Sequence, residues 1–281
     1  MAILLSLAAA FTYGAGDFVG GLMSKRNDVL RVVFLSQQFG WIPLLLAVPF
    51  INEGPPDRDT LLWGAAAGIA GVTGVVLLYR GLAIGRMSVV APITAIEAAA
   101  LPVLFGLATG ERPGAASLVG VAVAIVAVGL ISRAEEVPTE GGDVLGQKGI
   151  AEALGAGFAF AAFFILLDGV GDDSGLWPII AVRVVSFALL AGAVLGTRTS
   201  LKPQPGSWGG IALAGMLDVA ANILYLLATR EGLLLLVAVI TSLYPAMTVL
   251  LARVVLRERL IRHQVFGLGL AAIGITLIAA G

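Results

Sequence analysis

The stretch Ala2–Met23 reads AILLSLAAAFTYGAGDFVGGLM and carries one charged residue, Asp17. A helix that crosses a bilayer needs about 20 consecutive, mostly apolar residues, and this stretch has that length and character. No basic region precedes it, and its apolar run continues almost to Lys25 and Arg26. We therefore interpret it as a first membrane span and not as a signal peptide.

Nine further apolar segments follow, and Gly, Pro and most charged residues lie in the breaks between them, as in Asn52–Thr60 (NEGPPDRDT). The runs are continuous and show no alternation of period two, which favours helices over a barrel. The sequence predicts an all-α integral membrane protein with ten transmembrane helices. In order, the predicted spans are Ala2–Met23, Val32–Phe50, Leu61–Tyr79, Met87–Leu107, Ala115–Ile131, Ile150–Leu167, Leu176–Leu195, Trp208–Leu227, Leu233–Leu256 and Val265–Ala280.

The composition of the whole chain supports this interpretation and excludes several classes of function. Of its 281 residues, 59% are hydrophobic and 12% are charged, with a mean hydropathy of +1.00. A soluble domain carries about twice that share of charged residues, and a disordered one is far less hydrophobic. The net charge of −1 gives no electrostatic basis for nucleic-acid binding. The chain has no cysteine, and its one histidine is His263, so we predict no metal, no cofactor and no enzymatic activity.

The chain resembles itself after a shift of 147 residues. Small apolar residues match by chance in so apolar a sequence, but a Glu-Arg pair does so much less easily. We therefore predict a first five-helix repeat (residues 1–132), a cytoplasmic linker (133–148) and a second five-helix repeat (149–281). Matched positions include Phe11 with Phe158, Ala15 with Ala162, Gly85 with Gly232, Glu111-Arg112 with Glu258-Arg259, and Gly120 with Gly267.

The odd number of spans in each half predicts that the second half is inverted in the membrane. Basic residues concentrate in cytoplasmic loops, and here one side has twelve of them and the other side three. We predict that both termini lie outside and that the protein is a multi-pass component of the cell (inner) membrane. The twelve are Lys25, Arg26, Arg31, Arg80, Arg86, Arg133, Lys148, Arg198, Lys202, Arg257, Arg259 and Arg262, and the three are Arg58, Arg112 and Arg230.

A family resemblance rests on three stretches of this chain. Ser242–Leu260 (SLYPAMTVLLARVVLRERL) resembles a Leu-Tyr-Pro helix ending in Glu-Arg that is found in the drug/metabolite transporter superfamily, EamA type. Ala108–Gly114 (ATGERPG) resembles the same feature in the first half, and Thr12–Gly20 (TYGAGDFVG) resembles the first helix of many members. The first half departs from the pattern, with Ala98 where the second half has Pro245.

The resemblance implies a fold of two five-helix repeats and secondary transport of small solutes such as amino acids, metabolites or drugs, usually as export. It also implies that spans one, three, four, six, eight and nine line a central cavity. Spans five and ten would lie outside that cavity, where they could pack or mediate a homodimer. Gly267, Gly269 and Gly274 on span ten permit close helix contacts, which a dimer and a monomer could use equally.

The candidate functional residues among the ionisable ones inside predicted spans are Asp17, Glu97, Arg183 and Asp218. A charge at the bilayer centre costs at least about 2.5–3.5 kcal/mol, so each should face a partner or a hydrated cavity. None of the three acids recurs in the other half after the shift of 147 residues, which favours function over architecture. Asp17 could also pair with Lys25 or Arg26 at the cytoplasmic end.

The predicted substrate site consists of these acids and the polar residues on their helical faces. We expect Glu97 and Asp218 to couple transport to protons as well, unless they are structural hydrogen-bonded acids. Arg183 is predicted to be a counter-ion or a clamp for an anionic substrate. The predicted substrate-binding residues are Tyr13, Asp17, Thr94, Glu97, Asp218, Asn222, Tyr225, Thr241 and Tyr244, the last two beside Pro245.

Several other residues allow more than one interpretation. Gln37 and Gln38 are typical of helix packing, and Phe160 and Phe164 could pack in the core or stack on an aromatic substrate. Glu111 and its counterpart Glu258 resemble helix caps or interfacial ion pairs. A channel or a scaffold without transport activity is an alternative function. The string Gly14-Ala15-Gly16-Asp17 also occurs in intramembrane aspartyl proteases, but no second acid lies in a matching motif.

Overall fold

The structure is a computed structural model that describes residues 1–47, 49, 55–84, 87–131, 149–255 and 262–281. Helices and short turns make up these residues, and no strand occurs among them. The predicted linker at 133–148 and the pair Glu258-Arg259 lie outside the described residues. The α-helices are α1 Ala2–Ser24, α2 Val29–Phe39, α3 Trp41–Ala47, α4 Arg58–Ile84, α5 Met87–Thr109, α6 Ala115–Ile131, α7 Ile150–Asp168, α8 Trp177–Thr197, α9 Trp208–Thr229, α10 Leu234–Thr241, α11 Tyr244–Val255 and α12 Arg262–Ala280.

Seven helical stretches in the described residues are long and apolar enough to cross a membrane. Shorter apolar helices, at Ile93–Thr109, Ala115–Ile131 and Leu234–Thr248, overlap the other three predicted spans. The prediction of a multi-span, all-helical membrane protein is therefore confirmed. The seven stretches are Ala2–Ser24, Val29–Ala47, Arg58–Ile84, Ile150–Asp168, Trp177–Thr197, Trp208–Thr229 and Arg262–Ala280.

The second predicted span is interrupted at Gly40, between α2 and α3. A Cβ atom at Gly40 would clash with Val219 on α9 and would lie 3.2 Å from the carbonyl oxygen of Gly215. A Cβ atom at Gly215 would likewise clash with the carbonyl of Ser36 on α2. The two glycines therefore let the backbones of α2 and α9 approach closely, beside the residues that form the candidate site.

The ninth predicted span is also interrupted, between Thr241 at the end of α10 and Tyr244 at the start of α11. Pro245 lies in the first turn of α11, where a missing N–H and a fixed φ are tolerated. The break in the ninth predicted span therefore lies on the N-terminal side of Pro245. The corresponding helix of the first half, α5, is continuous from Met87 to Thr109 and has Ala98 in place of the proline.

α6 packs along α12, apart from the core that surrounds the candidate site. A Cβ atom at Gly120 would lie 2.7 Å from the carbonyl oxygen of Gly274, and one at Gly267 would lie 2.9 Å from the backbone nitrogen of Ile131. Gly267 and Gly274 therefore serve packing within the chain. Around Gly269, no described residue of another helix lies within 4 Å of the Cβ position.

Candidate functional site

A cavity lies between α1, α2, α4, α7, α8, α9 and α11, and it encloses about 550 Å³ of empty space including its open mouth. One wall is polar and the other is apolar and largely aromatic. No residue of α5, which corresponds to the fourth predicted span, is among the described residues that line it. Helices α2 and α8 do contribute to it, although they belong to the second and seventh predicted spans, which the resemblance did not imply. The lining residues are Tyr13, Asp17, Gln37, Gly71, Val72, Val75, Phe160, Phe163, Phe164, Val182, Arg183, Asp218, Asn222 and Tyr244.

A buried ion pair forms the centre of the polar wall. The Nη2 atom of Arg183 on α8 lies 3.2 Å from Oδ2 of Asp218 on α9, and the Arg183 side chain is 4% exposed. The other terminal nitrogen of Arg183 donates a hydrogen bond to Oε1 of Gln37 on α2. The Asp218 side chain is 27% exposed and faces the cavity. Arg183 therefore pairs with Asp218, and its roles as a counter-ion or as a clamp for an anionic substrate stay predictions.

Two further polar residues extend this ion pair towards α1. Asn222 donates from Nδ2 to Oδ2 of Asp218 at 3.5 Å, and its Oδ1 accepts a hydrogen bond from the Tyr13 hydroxyl. Because Asp218 and Asn222 are four residues apart, they lie on the same face of α9. The network of Tyr13, Asn222, Asp218, Arg183 and Gln37 thus connects α1, α9, α8 and α2.

Asp17 also lines the cavity, one turn along α1 from Tyr13. Within the described part of the chain, its carboxylate has no hydrogen bond or ion pair, and neither Lys25 nor Arg26 pairs with it. The cavity therefore contains two carboxylates and one guanidinium, and the guanidinium is already bound to Asp218. This leaves one carboxylate without a counter-charge.

The opposite wall consists of Phe160, Phe163 and Phe164 on α7, together with Val72 and Val75 on α4. Two glycines of α4 make room for the rings. A Cβ atom at Gly71 would lie 2.9 Å from the ring of Phe163, and one at Gly74 would lie 2.7 Å from the ring of Phe160. Phe160 and Phe164 therefore both face the cavity and pack in the core, which the sequence had left as alternatives.

Four of the predicted site residues lie outside the cavity lining. Tyr225 is buried, stacks on Phe164 with ring centroids 4.4 Å apart, and donates its hydroxyl to the carbonyl of Phe164 at 3.2 Å. Thr94 donates to the carbonyl of Ala153 at 3.2 Å. The Thr241 hydroxyl is buried, and no residue that the structure describes forms a hydrogen bond with it.

Glu97 is the fourth predicted site residue outside the cavity lining. Its side chain faces α7. A Cβ atom at Gly157 would lie 2.7 Å from the Cβ atom of Glu97, so the glycine admits the Glu97 side chain between α5 and α7. Its Oε2 atom is buried, and the described residues offer it no hydrogen-bond partner. Glu97 is therefore separate from the cluster that contains Asp17 and Asp218.

Gln37 is the residue of the polar wall that the sequence did not assign to the site. The interpretation as a packing residue came from its place in an apolar span. Its hydrogen-bond partner, Arg183, is 146 residues away in the chain. The available signal was that Gln37 and Arg183 are polar residues inside two different apolar spans. Helical spacing relates residues of one helix only, so it could not pair these two.

Glu111 is a helix cap, one of the two roles that the sequence predicted for it. Its Oε1 accepts from the backbone N–H of Leu234 at 2.7 Å, and its Oε2 accepts from that of Leu235 at 3.1 Å. Glu111 thereby satisfies two free N–H groups at the start of α10. The cap joins the end of α5 to a helix of the other half of the chain.

Comparison with known proteins agrees with this architecture. The sequence pattern of the EamA-like transporter family matches residues 1–133 and 147–280. The chain belongs to the EamA-like transporter family. This family is part of the drug/metabolite transporter superfamily, so the resemblance noted in the sequence is confirmed.

Two individual proteins illustrate the similarity. An uncharacterized protein of Methanocaldococcus jannaschii is 27% identical over 134 residues, which cover 47% of this chain and 96% of that protein. A solved structure, titled only as the crystal structure of a protein, superposes with a TM-score of 0.77 at 14% identity and covers 99% of this chain and 98% of its own. At that identity the superposition supports the fold and nothing more.

Proposed function

We propose that this EamA-family protein is a secondary active transporter that exports a small polar or amphipathic solute, such as a metabolite, an amino acid or a drug. The observation that carries this proposal is the cavity with a buried Arg183–Asp218 pair inside an apolar helical bundle. Charged residues within a membrane are costly and typically mark a substrate or ion pathway.

We further propose ten spans arranged as two inverted five-helix repeats that rock to give alternating access. Three observations support this arrangement. The family pattern matches the chain twice, in segments of nearly equal length. The archaeal relative has the length of one such segment. The shift of 147 residues relates α1 to α7 and α4 to α9. Correspondingly, α1 packs against α9, and α7 packs against α4.

Proton coupling through Asp218 and Glu97 belongs to the same proposal. A proton on Asp218 removes the charge that holds Arg183, so protonation and solute binding can compete at the cavity. Glu97 has a buried oxygen between α5 and α7 that no described residue hydrogen-bonds, and a proton there would reduce the cost of burying its charge. The proposed coupling therefore uses one carboxylate in the cavity and one between two helices that the rocking motion would separate.

In the proposed orientation, both termini lie on the outer, non-cytoplasmic side of the cell (inner) membrane. An epitope tag after Gly281 should then be accessible to antibody on intact spheroplasts. Labelling only after lysis would contradict the orientation without affecting the proposed transport site.

The experiment that tests the transport proposal is a ligand screen on the purified protein in detergent, followed by transport assays in proteoliposomes. The panel contains amino acids, purines, sugars, phosphorylated metabolites and cationic drugs. A ligand at about 100 times its Kd should stabilise the fold by roughly 2.7 kcal/mol. The stabilisation should be lost in Asp218→Asn and retained in Asp59→Asn, the same change at an exposed position. A protein that neither binds nor transports any member of the panel would favour the channel or scaffold alternative.

A further inference from the structure

We infer that the cavity selects an amphipathic cation, a solute with an ammonium group and an aromatic body and without a carboxylate. This inference rests on the proposed transport function and names the substrate class of the same site. It depends on three features of the cavity, which are a guanidinium already bound by protein groups, an unmatched carboxylate and an aromatic wall.

Arg183 is already bound by protein groups. Its two terminal nitrogens donate to Gln37 and to Asp218, and its Nε atom is buried. The whole side chain is 4% exposed. An anion that binds Arg183 would compete with Asp218 for it, and displacement of Asp218 would leave a carboxylate unpaired at a depth where that is costly.

Asp17 supplies the attraction for a cation. Its carboxylate lines the cavity, and no described residue forms a hydrogen bond or an ion pair with it. The Arg183–Asp218 pair is neutral as a unit, so Asp17 gives the cavity a net charge of −1 when it is ionised. Electrostatic attraction is several-fold stronger in such a partly buried site than in water. A protonated amine is the ligand group that matches this charge.

The aromatic wall accommodates the rest of the solute. Phe160, Phe163 and Phe164 lie across the cavity from the polar wall, and Gly71 carries no side chain that would fill the space beside them. Ring faces favour both aromatic stacking and the approach of a cation. A solute with an ammonium group at one end and a ring at the other would contact both walls at once.

Four probes with similar bodies and different charges test this inference. These are 2-phenylethylamine, 3-phenylpropionate, phenylalanine and 2-phenylethanol, whose Kd values are measured by titration calorimetry with the purified full-length protein at pH 7. We expect the amine to bind about ten- to a hundredfold more tightly than the alcohol, because a charge-assisted contact is added. The anion should bind more weakly than the alcohol.

Three variants assign the effect to residues. Asp17→Asn should remove the preference for the amine over the alcohol, while the matched exposed change Asp59→Asn should leave it intact. Phe160→Leu should weaken the amine and the alcohol by similar factors, because both use the ring. Gel filtration and melting without ligand establish that each variant is folded, and Phe160→Leu still tests the aromatic wall if Asp17→Asn is unstable.

The outcomes distinguish this inference from the transport proposal. Tighter binding of 3-phenylpropionate or phenylalanine than of the amine would overturn the cation preference and leave transport intact. An unchanged amine preference in folded Asp17→Asn would also overturn it. If none of the four probes binds but another solute of the wider panel is transported, the inference fails and the transport proposal stands. If no solute binds or is transported, both fail.

Discussion

Asp218 and Glu97 satisfy the same sequence criterion, a carboxylate in the middle of an apolar span, yet their surroundings in the structure differ. Asp218 faces the cavity, pairs with Arg183 at 3.2 Å and accepts from Asn222. Glu97 lies against Gly157 between α5 and α7, and one of its oxygens is buried with no hydrogen-bond partner in the described part of the chain. The contrast teaches that depth in the membrane identifies a costly carboxylate, whereas its partners indicate what the carboxylate can do.

The largest effects that sharpen this comparison concern transport. Asp218→Asn should lower both proton-driven transport and solute exchange by about tenfold or more, which corresponds to about 1.4 kcal/mol or more. Glu97→Gln should abolish proton-driven transport and leave exchange close to the wild-type rate, because Glu97 does not line the cavity. Both rates are measured in proteoliposomes with and without a pH gradient. Unchanged driven transport in Glu97→Gln would make Glu97 a structural acid.

The next effect concerns the ion pair itself. Arg183→Gln leaves Asp218 without its partner at a largely buried site, which should destabilise the fold by about 3 kcal/mol. The double variant Arg183→Gln with Asp218→Asn should recover much of that stability. The control is Arg80→Gln, because Arg80 pairs with Glu152 at 3.4 Å but is 66% exposed, and its loss should cost at most about 1 kcal/mol. The free energies of unfolding are measured by denaturant unfolding. Equal losses in Arg183→Gln and Arg80→Gln would show that the buried ion pair contributes no more to stability than the exposed one.

A smaller effect tests the tight contact around Glu97. Gly157→Ala would place a methyl group where Glu97 lies, so we expect a loss of about 1–3 kcal/mol in the free energy of unfolding. Gly192→Ala is the control, since no described residue of another helix lies within 4 Å of its Cβ position in the middle of α8. That change should be neutral or stabilise the helix by up to about 1 kcal/mol. If Gly157→Ala is tolerated as well as the control, α5 and α7 are not held together at this contact.

The smallest effect concerns the cap that joins the two halves. Glu111→Gln removes the charge that caps α10 while one hydrogen bond can persist, so the loss should be about 0.5–1 kcal/mol. Glu231→Gln, at an exposed position in the nearby loop, is the matched control. Thermal melting of the two variants in parallel measures the difference. A melting temperature of Glu111→Gln equal to that of Glu231→Gln would mean that the cap does not contribute to stability.

Much of the helical fold could be predicted because apolar length alone determines which segments can cross a bilayer. The irregularity beside Pro245 was predictable as well, since proline cannot donate to a preceding turn. The interruption at Gly40 was not predicted, although Pro43, which cannot donate a hydrogen bond to the carbonyl of Phe39, was an available signal. The close approach of Gly40 to Gly215 and Val219 could not be predicted, because those residues lie far away in the sequence.

The candidate site was predicted in part, and the difference has a physical basis. Asp218 and Asn222 could be grouped because helical spacing places them on one face, and the structure joins them to Tyr13 through Asn222. Helical spacing says nothing about which helix a face meets. Gln37 was therefore missed, and Tyr225, which shares a face with Asp218, instead donates to a backbone carbonyl of α7.

The central claim is that the transported solute occupies the cavity beside Arg183 and Asp218, and labelling of an introduced cysteine tests it most directly. The chain has no cysteine, so Val75→Cys gives a single reporter in the cavity wall, and Ser200→Cys gives one at an exposed loop. In proteoliposomes that transport a solute, that solute should slow the reaction of Val75→Cys with a maleimide and leave Ser200→Cys unaffected. A solute that is transported without protecting Val75→Cys would contradict the account.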